Sequence, residues 1–151
     1  MSVECRQQAF IEAPLDEVWR LASDPDRQTE WWPGTLVFEC IDGTFEQGCR
    51  VRNVEARPWP MPDLETTLEV ESMVPGRELL IRCTDTGTYT RAVLTEGQGG
   101  TFVEMEAGSD PTSLGIKVQM AVVGRRLFRH WVEHALEKLR SAAERRASVG
   151  G

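Results

Sequence analysis

Two histidines are the residues whose type and spacing first suggest chemistry. His130 and His134 are four residues apart, a spacing at which two rings on one helix can bind a metal ion. The residues between them read Trp131-Val132-Glu133, which departs from the HExxH motif. Because arginines and glutamates surround both rings, we assign them to a solvated helix face. The sequence therefore predicts no metal site and no cofactor.

Cysteine chemistry is the next candidate. Cys5, Cys40, Cys49 and Cys83 form no CxxC pair, and each lies in a strand-like segment. Reduced cysteines in such places behave as small apolar residues, which we expect here. A disulfide between Cys40 and Cys49, which flank a tight loop, is the alternative. Because no P-loop, dinucleotide fingerprint or nucleophile elbow appears either, the sequence identifies no catalytic residue.

Composition limits the classes of protein that the chain can be. Its 151 residues are enough for one domain, which we place at 1–147 with a frayed tail at 148–151. The formal net charge of −7 disfavours a nucleic-acid partner, because phosphate binding depends on basic patches. No apolar run is long enough to span a membrane, and no secretory leader is visible. We therefore expect a cytoplasmic protein.

Turn chemistry divides the chain into strands followed by one long helix. A strand over 3–12 leads to two short helices, the first opened by Pro14 and the second capped by Asp24. Six further strands are predicted at roughly 35–41, 49–57, 64–74, 78–84, 88–96 and 101–108. Short turns force antiparallel neighbours, and an amphipathic helix over about 114–147 closes the chain. This order predicts an α+β fold, a seven-stranded antiparallel sheet that curves around the C-terminal helix.

Alternation of side chains sorts most strands into an inward and an outward set. The inward set is Cys5, Gln7, Ala9, Ile11, Leu36, Phe38, Cys40, Leu64, Thr66, Leu68, Val70, Leu79, Ile81, Cys83, Thr90, Ala92, Leu94, Val103, Met105 and Ala107. Every charged residue of the sorted strands falls on the outward set, whereas the strand at 49–57 does not sort. Small inward side chains leave space, which favours an apolar cavity over the alternative of a closed core.

A set of caps, turns and helix positions is shared with one superfamily. It comprises Ile11-Glu-Ala-Pro14, Glu17-Val-Trp19, Asp24, Trp32-Pro33, Val74-Pro75-Gly-Arg77-Glu-Leu79, Gly100-Thr101, Ala135-Leu136-Glu-Lys-Leu139 and Glu144. Through these motifs nearly the whole chain resembles the START/Bet v 1-like (SRPBCC) superfamily, in particular its polyketide cyclase/dehydrase and lipid-transport group. The resemblance implies a helix-grip fold, in which the sheet grips the C-terminal helix over a cavity. It also implies a lipid-, steroid- or polyketide-like ligand.

The predicted ligand site joins the inward face to aromatic residues near the cavity mouth. The match to the superfamily places Trp32 there, and a loop stiffened by three prolines carries Trp59 and Met61 near the same end. Rigid rings and an adaptable methionine suit a flat or irregular apolar ligand. The predicted ligand-binding residues are Trp32, Trp59, Met61, Leu68, Ile81, Cys83, Ala92, Leu94, Met105, Phe128 and Trp131.

Three functions are compatible with these patterns. The first, which we favour, is binding or carriage of a small hydrophobic molecule in an internal cavity, by a monomer or a homodimer. The second is an aromatase/cyclase-type enzyme acting on a polyketide. Its acid–base groups would be Tyr89, Arg91, Arg52 or Glu104, if those side chains face inward. The third is a protein-interaction module without ligand, which uses Trp59 in an exposed apolar patch.

Overall fold

Seven antiparallel strands form one sheet in the computed structural model, which describes residues 3–41, 43–57, 59–109 and 125–150. The strands are β1 (Val3–Ile11), β2 (Thr35–Cys40), β3 (Arg50–Glu55), β4 (Leu64–Val74), β5 (Glu78–Cys83), β6 (Thr88–Gly97) and β7 (Gly100–Ser109). Their order across the sheet is β1-β7-β6-β5-β4-β3-β2. Every strand from β2 to β7 therefore pairs with its neighbour in the chain, as the short turns predicted.

Two short helices connect the edge strands β1 and β2. Helix α1 (Leu15–Ser23) follows Pro14, which takes an extended conformation at its N-terminus. A 3₁₀ helix (Pro25–Glu30) comes next, and the Asp24 side chain accepts a hydrogen bond from the backbone N–H of Asp26 at 2.9 Å. This contact is the cap predicted for Asp24, and it satisfies a donor that the first helical turn leaves unpaired.

The long C-terminal helix, α2 (Arg125–Gly150), packs against β1, β7 and α1. The first part of the predicted helix, residues 114–124, lies outside the described residues. The helix continues to Gly150, beyond the predicted end at Ala147 and into the tail that we expected to fray. Its buried side is Phe128, Val132, Ala135, Leu136, Leu139, Ala142 and Ala143. No helix among the described residues has the length and apolar character needed to cross a membrane.

The inner face of the sheet follows the predicted alternation, and the helix-grip fold is confirmed. Val70, Ile81 and Val103, for example, are buried as expected. The prediction for Leu36 is wrong, because this side chain is 53% exposed. The β2–β3 register shifts between Thr35 and Val37, so strict alternation fails at this point.

Candidate functional site

A cavity of about 410 Å³ lies between the inner face of the sheet and the N-terminal part of α2. Its apolar wall is formed by Trp32, Leu64, Leu68, Ile81, Cys83, Ala107, Leu127, Phe128 and Trp131. The rings of Trp32 and Trp131 meet edge to face, with centroids 5.4 Å apart. Leu64 and Leu127 line the cavity and are also exposed to solvent, so they mark its mouth.

The Trp32 ring is held in place by Gln28, a residue that the sequence analysis did not single out. Gln28 is completely buried, and its side-chain oxygen accepts a 2.7 Å hydrogen bond from the Trp32 indole N–H. Its amide group donates to the backbone carbonyls of Ala22 at 2.9 Å and Asp24 at 2.8 Å. The amide thus connects the end of α1 to the cavity wall. No sequence pattern distinguishes this glutamine from an exposed one.

The cavity lining also contains polar residues, and they include a carboxylate. These residues are Glu55, Thr66, Thr86, Thr88, Tyr89 and Thr90. The hydroxyls of Thr86 and Thr88 are 2.9 Å apart and share a hydrogen bond. The expectation of a charge-free cavity is therefore wrong at Glu55, which lies on β3, the strand that did not sort by alternation.

Next to these polar residues lies Asn53, which is completely buried. Its side-chain N–H groups donate to Glu55 Oε1 at 3.1 Å and to Thr66 Oγ1 at 3.3 Å. The Asn53 side-chain oxygen has no hydrogen-bond partner among the residues that the structure describes. The two donated hydrogen bonds hold the Asn53 amide against Glu55 and Thr66 and so orient the Glu55 carboxylate.

The predicted ligand-binding residues fall into three groups in the structure. Those that line the cavity are Trp32, Leu68, Ile81, Cys83, Phe128 and Trp131. Ala92, Leu94 and Met105 are buried but belong to the packed core away from the lining. Trp59 is 92% exposed and Met61 is 49% exposed, so neither side chain is part of the cavity wall.

Three of the four acid–base candidates, Arg52, Arg91 and Glu104, are bound to partners on the outer face of the sheet. Arg52 pairs with Glu65 at 2.7 Å, and this hydrogen bond, followed by the one to Glu39, raises the pKa of Arg52. In the same way Glu78, at 2.7 Å, raises the pKa of Arg91.

Glu104 and Tyr89 are the other two candidates. Glu104 lies 3.5 Å from Arg6, and the Tyr89 hydroxyl donates to Glu106 at 2.9 Å. Tyr89 contributes to the cavity lining, but its hydroxyl is engaged by a carboxylate of the outward set. Glu104 is therefore paired away from the cavity, and the Tyr89 hydroxyl is committed as a donor to Glu106.

The histidines and cysteines are the candidates for metal binding and for disulfide formation. His130 and His134 are exposed on α2, with ring centroids 6.1 Å apart. Within the described ranges, no group of three or more His, Cys, Asp and Glu side chains is placed to hold a metal ion. All four cysteines are present as thiols.

With the fold and the cavity described, the chain can be compared with known proteins. The family model described as polyketide cyclase/dehydrase and lipid transport matches residues 2–144. Since this match spans nearly the whole chain, the protein belongs to that family. No curated protein matches the sequence at a significant level.

Solved structures with the same fold come from diverse proteins. A protein of unknown function from Staphylococcus aureus, SA2116, has a TM-score of 0.77 and 13% identity, with 98% of this chain and 97% of that one covered. The di-domain ARO/CYC StfQ from the steffimycin biosynthetic pathway gives 0.78 and 13%, covering 98% of this chain and 52% of that one. Ara h 8.0201 gives 0.65 and 8%, covering 95% and 98%. Identities this low establish the shared fold only.

Proposed function

We propose that this protein binds a small hydrophobic molecule in the cavity between its sheet and α2. The observation that carries the proposal is the cavity itself, about 410 Å³ with an apolar wall built from three aromatic rings and aliphatic side chains. Ligand sites for small molecules typically occupy about 300–1,000 Å³ and combine such walls with a few polar groups. Membership of a family described by lipid transport supports the same function.

Entry from solvent is supported by the mouth of the cavity. Leu64, at the start of β4, and Leu127, in the first turn of α2, line the cavity and are exposed. These two side chains are therefore the proposed point of entry for a ligand. Carriage, rather than storage in a sealed core, is the function that an open cavity supports.

An aromatase/cyclase-type activity is the second candidate, and Glu55 favours it. This carboxylate lines the cavity, whereas Arg52, Arg91 and Glu104 are bound on the outer face and the hydroxyl of Tyr89, which also lines the cavity, donates to Glu106. A carboxylate in hydrogen-bond reach of a substrate can act as a general base. Turnover of a poly-ketone substrate that is lost in Glu55→Gln would favour the enzyme, whereas binding without turnover favours the carrier.

Filling the cavity provides the test of ligand binding. Thr90 lines the cavity on β6, so in Thr90→Trp the indole would occupy the binding space. We expect the affinity for Nile red, a neutral apolar dye, to fall about tenfold or more, since the ring displaces the ligand. Dye fluorescence measures this affinity.

The same substitution on the same strand supplies the control. Thr95 is exposed on β6 and lies outside the cavity lining, so Thr95→Trp should bind Nile red like the parent protein. Circular dichroism would establish that both variants are folded. Unchanged dye affinity in a folded Thr90→Trp protein, or no binding by the parent, would contradict the proposed function.

A further inference from the structure

We infer that the cavity selects ligands whose polar group donates a hydrogen bond, a protonated amine or a hydroxyl, and discriminates against carboxylates. This inference rests on the proposed function and names the class of ligand. It follows from Glu55, a carboxylate in a cavity wall that otherwise carries no charge among its described residues.

The described surroundings of Glu55 supply no counterion for its carboxylate. The described lining residues include no lysine, arginine or histidine. The neighbouring glutamates on the outer face, Glu39 and Glu65, by contrast share an ion pair with Arg52. Among the described residues, no cationic side chain lies within ion-pair distance of Glu55. A ligand is the partner that could supply the missing positive or donor group.

The hydrogen bonds of Glu55 show which atom would receive that group. Asn53 donates to Oε1 at 3.1 Å, and within the described part of the chain no group donates to Oε2. Asn53 is itself fixed by complete burial and by its second bond, to Thr66 Oγ1 at 3.3 Å. The bond to Oε1 thus orients the carboxylate, and Oε2 is the oxygen that would accept a hydrogen bond from a ligand.

Electrostatics then ranks the possible head groups. A ligand carboxylate near Glu55 would bring two like charges together in a partly apolar space, which is unfavourable. A protonated amine would gain a charge-assisted hydrogen bond, and the faces of Trp32, Phe128 and Trp131 also attract cations. A hydroxyl, which can donate without adding charge, falls between the two.

The test compares three compounds that share one apolar body and differ in the head group. Naphthylmethylamine, naphthylmethanol and naphthoate are each titrated against protein loaded with Nile red at neutral pH, and dye displacement gives their affinities. We expect the amine to bind about tenfold or more tightly than the carboxylate, with the alcohol between them. In Glu55→Gln, the amine and the carboxylate should differ by less than about threefold.

A matched control separates the effect of a charge inside the cavity from the effect of the protein's net charge. Glu69 is exposed on the outward side of β4, so Glu69→Gln removes the same charge outside the cavity and should leave the order of affinities unchanged. An equal affinity for all three compounds, an order unaffected by Glu55→Gln, or failure of the amine to displace the dye would overturn this inference. Because Nile red itself reports on cavity binding, each of these results leaves the proposed function standing, whereas failure of Nile red to bind removes both.

Discussion

Two regions of the same inner sheet face differ in what covers them. In the packed region, Leu94, Val103 and Met105 are buried in the hydrophobic core and do not line the cavity. In the cavity region, Leu68 and Ile81 are buried to a similar degree but border open space. Helix α1 packs against β6 and β7, and α2 packs against β1 and β7, whereas the cavity lining comes mostly from β3 to β6. Burial alone therefore does not distinguish a core residue from a binding residue in this fold.

The largest expected effect compares two leucines, one from each region. Leu139 is completely buried on α2, and Leu139→Ala should lower the free energy of unfolding by about 4 kcal/mol, because a new cavity is left in packed surroundings. Leu68 already faces the cavity on one side, so Leu68→Ala should cost about 2 kcal/mol. Urea denaturation measures both values. Equal losses would mean that the two regions are packed alike.

Trp131 gives a second comparison between packing and lining. Its ring is partly exposed and lines the cavity, so Trp131→Ala should cost about 2 kcal/mol, below the 3–5 kcal/mol typical of a fully packed ring. The enlarged cavity should also bind Nile red with higher affinity. Trp19 on α1 is partly buried against the core but does not line the cavity, so Trp19→Ala should destabilise the protein without new dye binding. A decrease of about 3–5 kcal/mol in the free energy of unfolding of Trp131→Ala, with unchanged dye affinity, would assign Trp131 to the core instead.

The smallest expected effect concerns Trp59, whose 92% exposure leaves it almost without contacts within the chain. Trp59→Ala should change the free energy of unfolding by no more than about 0.5 kcal/mol and leave Nile red binding unaltered. Light scattering provides the informative measurement. If the exposed patch of the interaction hypothesis binds a second copy of the chain through Trp59, the molar mass of the parent exceeds that of one chain and falls in the variant.

Much of the fold could be predicted from the sequence because its strands are bounded by strong turn signals. The strand predicted at 64–74 is observed as Leu64–Val74; of its inward set, Thr66, Leu68 and Val70 are buried, whereas Leu64 is exposed at the cavity mouth. Alternation failed at Leu36, because a shift in register between β2 and β3 is a property of two strands together. A single strand does not carry that information.

Glu55 shows why part of the site was missed. Along β3, polar and apolar residues occupy both faces, so alternation gives no preferred side. The face becomes clear only from the pairing with β4, where Glu55 lies opposite Leu64 and Asn53 lies opposite Thr66. Directly paired residues share a face of the sheet. The register depends on the loop at 56–63, whose conformation the sequence pattern does not determine.

The anchoring of Trp32 by Gln28 has a consequence for the entropy of binding. A free indole side chain would sample several rotamers, and a ligand that ordered it would have to overcome that loss of freedom. Here the hydrogen bond between Gln28 and the indole N–H fixes the ring during folding, before any ligand arrives. The aromatic wall at Trp32 is therefore preorganised, so ligand affinity is not reduced by the ordering of this ring.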